Sequence, residues 1–178
     1  VRATGVRPQG YRAPSWSINA SIPWAFEVLY DMEFVYDSSI YPIKHDIYGM
    51  PSAPREAFQI NFPNGGSLWE IPASTFRFLG RNLPIAGGGF LRHFPYWYTR
   101  KMIRKLNDRG EPVMVYIHPW EIDPDPPRVS GLSAMQRLRM YGSTQHFAVK
   151  LSRLLDDFEF TTCIDNIQRR KKRRIGFR

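Results

Sequence analysis

Three polar side chains stand where short apolar runs end: Arg12 in GYRAPS, Asp37 in YDSSI and His118 in YIHPWEID. An imidazole titrates near neutral pH and can protonate a leaving group, so His118 is a candidate general acid. The same ring equally fits a core histidine hydrogen-bonded beside Trp120. Asp37 could orient that imidazole or hold it protonated. Asp-Ser-Ser also suits the cap of a turn or helix. Arg12 could grip a catalytic carboxylate through paired hydrogen bonds and fix its charge state, or it could make a structural salt bridge. Glu70, Glu121, Asp123 and Asp125 add carboxylates, and the last three lie in a proline-rich stretch where solvent exposure is expected.

Other chemistries are excluded by spacing. The four histidines, His45, His93, His118 and His146, include no pair four apart on a helix and no H-x-H, so local spacing builds no metal site. Gly87-Gly88-Gly89 lacks the Lys and Ser/Thr of a phosphate loop. No G-x-S-x-G elbow is present for a serine hydrolase.

Placing the three side chains at chain exits requires strands that stop at them. Residues 7–12 read as a strand running into Pro14, and residues 34–36 as a short strand halted by Asp37-Ser38-Ser39. Between them, Ala25, Val28, Leu29 and Met32 recur at helical spacing over 23–33, with Ser21 as N-cap and Pro23 in the first turn. Residues 40–66 form a loop excursion with room for a hairpin, and 67–76 an edge or broken strand because of Pro72. The triple glycine reads as a flexible turn. Residues 95–107 predict an amphipathic helix with Met102, Ile103 and Leu106 inward and Arg100, Lys101, Arg104 and Lys105 outward. Residues 113–117 are the clearest strand and end at His118. Residues 144–158 predict a helix with a stripe of Phe147, Leu151, Leu154, Leu155 and Phe158, and 160–163 a last strand. Strands alternating with helices imply βα units and a mainly parallel sheet or barrel. In such folds functional groups collect at the carboxyl ends of strands.

The chain has 178 residues, the size of one domain, with ordinary globular shares of 43% hydrophobic and 23% charged residues. A single cysteine, Cys163, excludes an internal disulfide and a zinc site built on cysteine pairs. No apolar run approaches the roughly 20 residues of a membrane span, and the start does not read as a signal peptide. Net charge is +9, but 169–178 (RRKKRRIGFR) carry seven of the 25 basic residues; the other 18 against 16 acids leave +2. Charge of this kind predicts a solvated, disordered tail and a nearly balanced body.

Taken together, GYRAPSWSI at 10–18, FVYDSSIYPIKHDIYGMPSAPR at 34–55, LWEIPAST at 68–75, GRNLPIAGGGFLR at 80–92 and VMVYIHPWEIDPDPPRV at 113–129 resemble polysaccharide deacetylases with a NodB-type domain. The nearest variety is the subgroup associated with exopolysaccharide and exosortase systems. The resemblance runs from about residue 5 to residue 165. It implies an α/β fold, a distorted (β/α) barrel present here as an incomplete one, and metal-dependent hydrolysis of N-acetyl groups on amino sugars. A divalent metal, usually zinc, would polarise the acetyl carbonyl and activate water. Arg12 would position the catalytic base, His118 would protonate the departing amine, and Asp37 would tune that histidine. Pro14, Ser15 and Trp120 would contact the substrate. In the family the base aspartate, its metal-binding neighbour and two metal-binding histidines precede the arginine motif, where this chain starts. The expectation is therefore that 1–168 are the carboxyl-terminal part of a longer enzyme. The chain alone would then lack the metal site and the activity, with Arg12, Asp37 and His118 converging on one pocket once the rest is present.

The expected partner is a polysaccharide or amino sugar, with no specific nucleic acid and no transmembrane segment. The cytoplasm is the expected compartment and the cell envelope the alternative. Two other function classes stay open: a carbohydrate-binding module without chemistry, and nucleic-acid binding through the basic run.

Overall fold

The computed structural model describes residues 4–45, 48–123 and 125–175. The chain divides into two compact units, Val1–Ala73 with Thr161–Arg178, and Ser74–Phe160. In the first, β1 (Gly10–Tyr11) leads through α1 (Trp24–Asp31) to β2 (Tyr36–Asp37), and β3 (Phe58–Asn61) turns into β4 (Ser67–Glu70). The sheet order is β1-β2-β4-β3; β1, β2 and β4 run parallel, and β3 pairs antiparallel with β4. Among the described residues the 40–66 stretch holds one strand, β3, rather than a hairpin of its own; β3 pairs with β4, which falls in the expected 67–76 strand, through a turn with Gly65 at φ +82°. Ser21 does not cap α1; its hydroxyl binds Asn19 Oδ1 at 2.6 Å, and Pro23 takes the cap position. Phe26 and Leu29 of α1 pack with Ala13, Ile18, Ile40 and Leu68 in one core. Gly10 is required because a Cβ there would lie inside the Tyr36 ring.

The second unit opens with a hairpin, β5 (Thr75–Phe78) and β6 (Arg81–Pro84). It continues as α2 (Gly88–His93), α3 (Tyr96–Asn107), α4 (Pro119–Ile122), α5 (Ala134–Tyr141) and α6 (Phe147–Asp157). As the periodicity predicts, α3 buries Met102, Ile103 and Leu106. Leu91, Ile103, Phe147 and Leu154 form one core cluster, but Leu155 is 55% exposed, so the apolar stripe of α6 is narrower than its spacing suggests. The triple glycine does not form a free turn. Gly87 and Gly88 lie against the Tyr116 ring, where a Cβ at Gly87 would sit, and α2 starts at Gly88.

Two expected strands are not strands. Residues 113–117 make a single parallel bridge, Tyr116 with Gly87. Their backbone is satisfied piecemeal: Tyr116 N–H donates to Ala86 O (3.2 Å) and Met114 N–H to the Ser74 hydroxyl (2.7 Å), which leaves no continuous ladder. At 160–163 capping chemistry overrides β propensity. The Thr162 hydroxyl accepts from Asp165 N–H at 3.1 Å and donates to the Asp165 carboxylate at 2.7 Å, and α7 (Cys163–Ile175) begins there.

That last helix belongs to the first unit and carries part of the basic run expected to be disordered. Arg and Lys are good helix formers, so a capped start extends through them, and Arg170 pairs with Glu56 at 3.6 Å. Among the described residues the sheet is open and no barrel closes. No helix among them is long and apolar enough to cross a membrane.

Candidate functional site

In the first unit the parallel register sets Asp37 beside Glu70 at the carboxyl ends of β2 and β4. Both are fully buried. Asp37 accepts from Ser39 twice, from its N–H at 3.1 Å and its hydroxyl at 2.7 Å, which is the turn cap that Asp-Ser-Ser suggests. Glu70 Oε1 accepts from Ile40 N–H at 3.0 Å. Among the described residues Oε2 of Glu70 finds no hydrogen-bond partner. Burial pushes both pKa values up, and Glu70 goes further because it also faces the Asp37 charge. Of the two, Glu70 is the carboxyl held further above its ordinary range.

Arg12 bonds the same turn from outside. Its Nε donates to Ser38 O at 2.9 Å and its Nη2 to the Ser38 hydroxyl at 2.7 Å, while Cζ lies 5.0 Å over the Trp16 ring. The Ser38 hydroxyl passes its own proton to Ile71 O at 2.6 Å. Pro14 and Ser15 are exposed in the turn between, where Ser15 and Trp16 both take positive φ.

In the second unit His118 opens α4. Its Nδ1 lies 3.0 Å from Glu121 Oε2, and its backbone N–H donates to the same oxygen at 2.8 Å. The imidazole is 53% exposed and Glu121 is 1% exposed. The His118 ring therefore does not take the core position; its partner does. Behind Glu121 lies Arg92, equally buried, with Nη1 3.8 Å from Glu121 Oε1. Arg92 also donates to Met140 O (2.9 Å) and Arg139 O (2.5 Å), the last carbonyls of α5. Its Cζ lies 4.8 Å over the half-exposed Trp120 ring, which in turn stacks on His118 at 5.9 Å. Burial lowers the Arg92 pKa, and the Glu121 charge opposes that shift.

Of the six residues singled out in sequence, Arg12, Asp37, Pro14 and Ser15 belong to the first unit, and His118 and Trp120 to the second. Asp37 is engaged by Ser39 and Glu70, and the carboxylate on His118 Nδ1 is Glu121. Glu121 was expected in a solvent-exposed loop; Asp123 and Asp125 are indeed exposed, but Glu121 is not. The signal for it was present. His-Pro-Trp-Glu places Pro at the first helical position and Glu two residues further, the pattern in which the Glu side chain reaches back to the N-cap N–H. Glu70 could have been found from SLWEIPA, whose residues 68–73 are all buried. Arg92 carried no such signal. Among the described residues no group of three His, Cys, Asp or Glu could hold a metal ion.

The chain matches the model of a domain of unknown function (DUF3473) over residues 38–168, well over half its length. It belongs to that family. No curated protein and no solved structure matches it. The DUF3473 match takes in Glu70 and the whole His118–Glu121–Arg92 cluster; Asp37 lies directly before its first residue and Arg12 well before it.

Proposed function

We propose that this chain takes part in hydrolysing N-acetyl groups on a polysaccharide, with His118 as the general acid. The observation that carries the reading is the His118–Glu121 contact, an imidazole at a chain exit whose Nδ1 is held by a buried carboxylate. A carboxylate on Nδ1 fixes the ring orientation and leaves Nε2 as the nitrogen that meets a ligand. Water adds to the acetyl carbonyl carbon, the departing nitrogen takes a proton from Nε2 as the C–N bond breaks, and a hydroxyl of the adduct returns a proton to the ring, giving the free amine and acetic acid, which ionises to acetate in water. Trp120, half-exposed beside the ring, offers an apolar face to a sugar. Arg12 supports the same reading through the arginine motif, where its guanidinium is held rigid by Ser38. The zinc that the resemblance implies finds no three-ligand set among the described residues, so each step given to this chain rests on its own side chains.

Acetate release from an N-acetylglucosamine oligomer by the protein purified from its natural host tests this. His118→Gln should lose about 100-fold or more of the rate, the usual contribution of a general acid, with binding retained. Binding without any acetate release would favour the carbohydrate-module reading, which the exposed Trp120 also suits.

A further inference from the structure

We propose that the outer face of α3 is a binding surface for an acidic, carboxylate-bearing polysaccharide. The inner face of this helix buries Thr99, Met102, Ile103 and Leu106. On the other side Arg100, Lys101, Arg104 and Lys105 recur once per turn, a rise of about 5.4 Å. Trp97 stands at the head of that row, 66% exposed. A solvated helix face does not need an indole there; an exposed large apolar ring among cations is the informative observation.

A groove of about 480 Å³ runs along these residues. One wall is pre-organised. Asp157 of α6 accepts from the Tyr96 hydroxyl at 2.5 Å and from Arg100 Nη2 at 3.0 Å, which fixes the guanidinium in place. Among the described residues Lys101 makes no ion pair. Asp108 adds a second carboxylate to the lining.

The chemistry is mixed in a way that selects the partner. A sugar ring presents a C–H face to an indole, its carboxylate pairs with Lys and Arg, and its hydroxyls donate to Asp108 and Asp157. A DNA phosphodiester backbone has no hydroxyl donor for those carboxylates, whereas each sugar of a polysaccharide brings several. An anionic bilayer needs a broader apolar face than one Trp. The surface stands apart from the deacetylation reading, because it can hold a polymer whether or not His118 acts on it.

Isothermal titration of the intact protein at physiological salt tests the proposal, with oligogalacturonate, neutral chito-oligosaccharide, single-stranded DNA and phosphatidylserine vesicles as probes. Oligogalacturonate should bind, and Trp97→Ala and the double variant Lys101→Glu/Lys105→Glu should each weaken it tenfold or more. All three positions are on the exposed side of α3, so circular dichroism should be unchanged, and His118→Gln should bind as the wild type does. No binding of oligogalacturonate, equal binding of the neutral oligomer, insensitivity to the charge reversal, or stronger binding of DNA or vesicles would overturn it.

Discussion

Glu121 separates the two things a buried carboxylate does here. It orients His118 on the outside and neutralises Arg92 on the inside. Removing one partner of a buried pair leaves the other charged and unpaired, which typically costs about 3–5 kcal/mol. Glu121→Ala should therefore lower stability by that order in denaturant unfolding, whereas His118→Gln, at a half-exposed ring, should change it by less than about 1 kcal/mol. The buried carboxyl pair gives a pH prediction of definite sign. Glu70 binds its proton more tightly folded than unfolded. Between the ordinary carboxylate range and the raised Glu70 value the folded chain keeps that proton and the unfolded chain has lost it. Stability from this pair is fully present at the acid end and falls as pH rises through the window. Urea midpoints should show that decline in the wild type and lose it in Glu70→Gln; a parallel decline in both would remove the raised Glu70 pKa from the account. Arg12, Asp37 and His118 were legible in sequence because each ends an apolar run. Their pairings were less legible: Glu121 shows in the His-Pro-Trp-Glu capping pattern and Glu70 in an apolar run, but which side chain each one meets is set by sheet register and turn geometry that spacing alone does not encode.

The helices α3 and α6 were readable because a 3.6-residue period shows which side faces inward. α5 was missed because it buries no residue and announces itself only by the Ser133–Gln136 capping box. The extended 113–117 segment looked like a strand because β-branched residues mark extended backbone, and sequence cannot say whether a neighbour lies alongside. Its position depends on Gly87, whose missing Cβ lets the Tyr116 ring lie flat against the start of α2. Gly87→Ala should displace that ring and cost about 1–3 kcal/mol by overpacking. Because Tyr116 and His118 are edge to face at 6.0 Å, the His118 ring resonances should shift as well. An unchanged melt with unchanged resonances would show that the segment is held some other way.

For the whole molecule, charge and activity are separate matters. The +9 net charge falls to +2 without 169–178, so low-salt binding to duplex DNA should follow that run and vanish with added salt. Neutralising the run while keeping its helix should abolish such binding and leave acetate release untouched. The family match shows what this chain is related to, and the His118 cluster lies inside the matched residues. Composition, size and the alternation of elements pointed to an α/β chain; the division into two units followed from contacts far apart in sequence, which no local pattern reports. The most direct test is acetate release by the protein from its natural host, comparing wild type with His118→Gln. The account expects turnover that drops about 100-fold or more in the variant with the fold intact; equal rates in the two proteins, or no acetate from either, would contradict it.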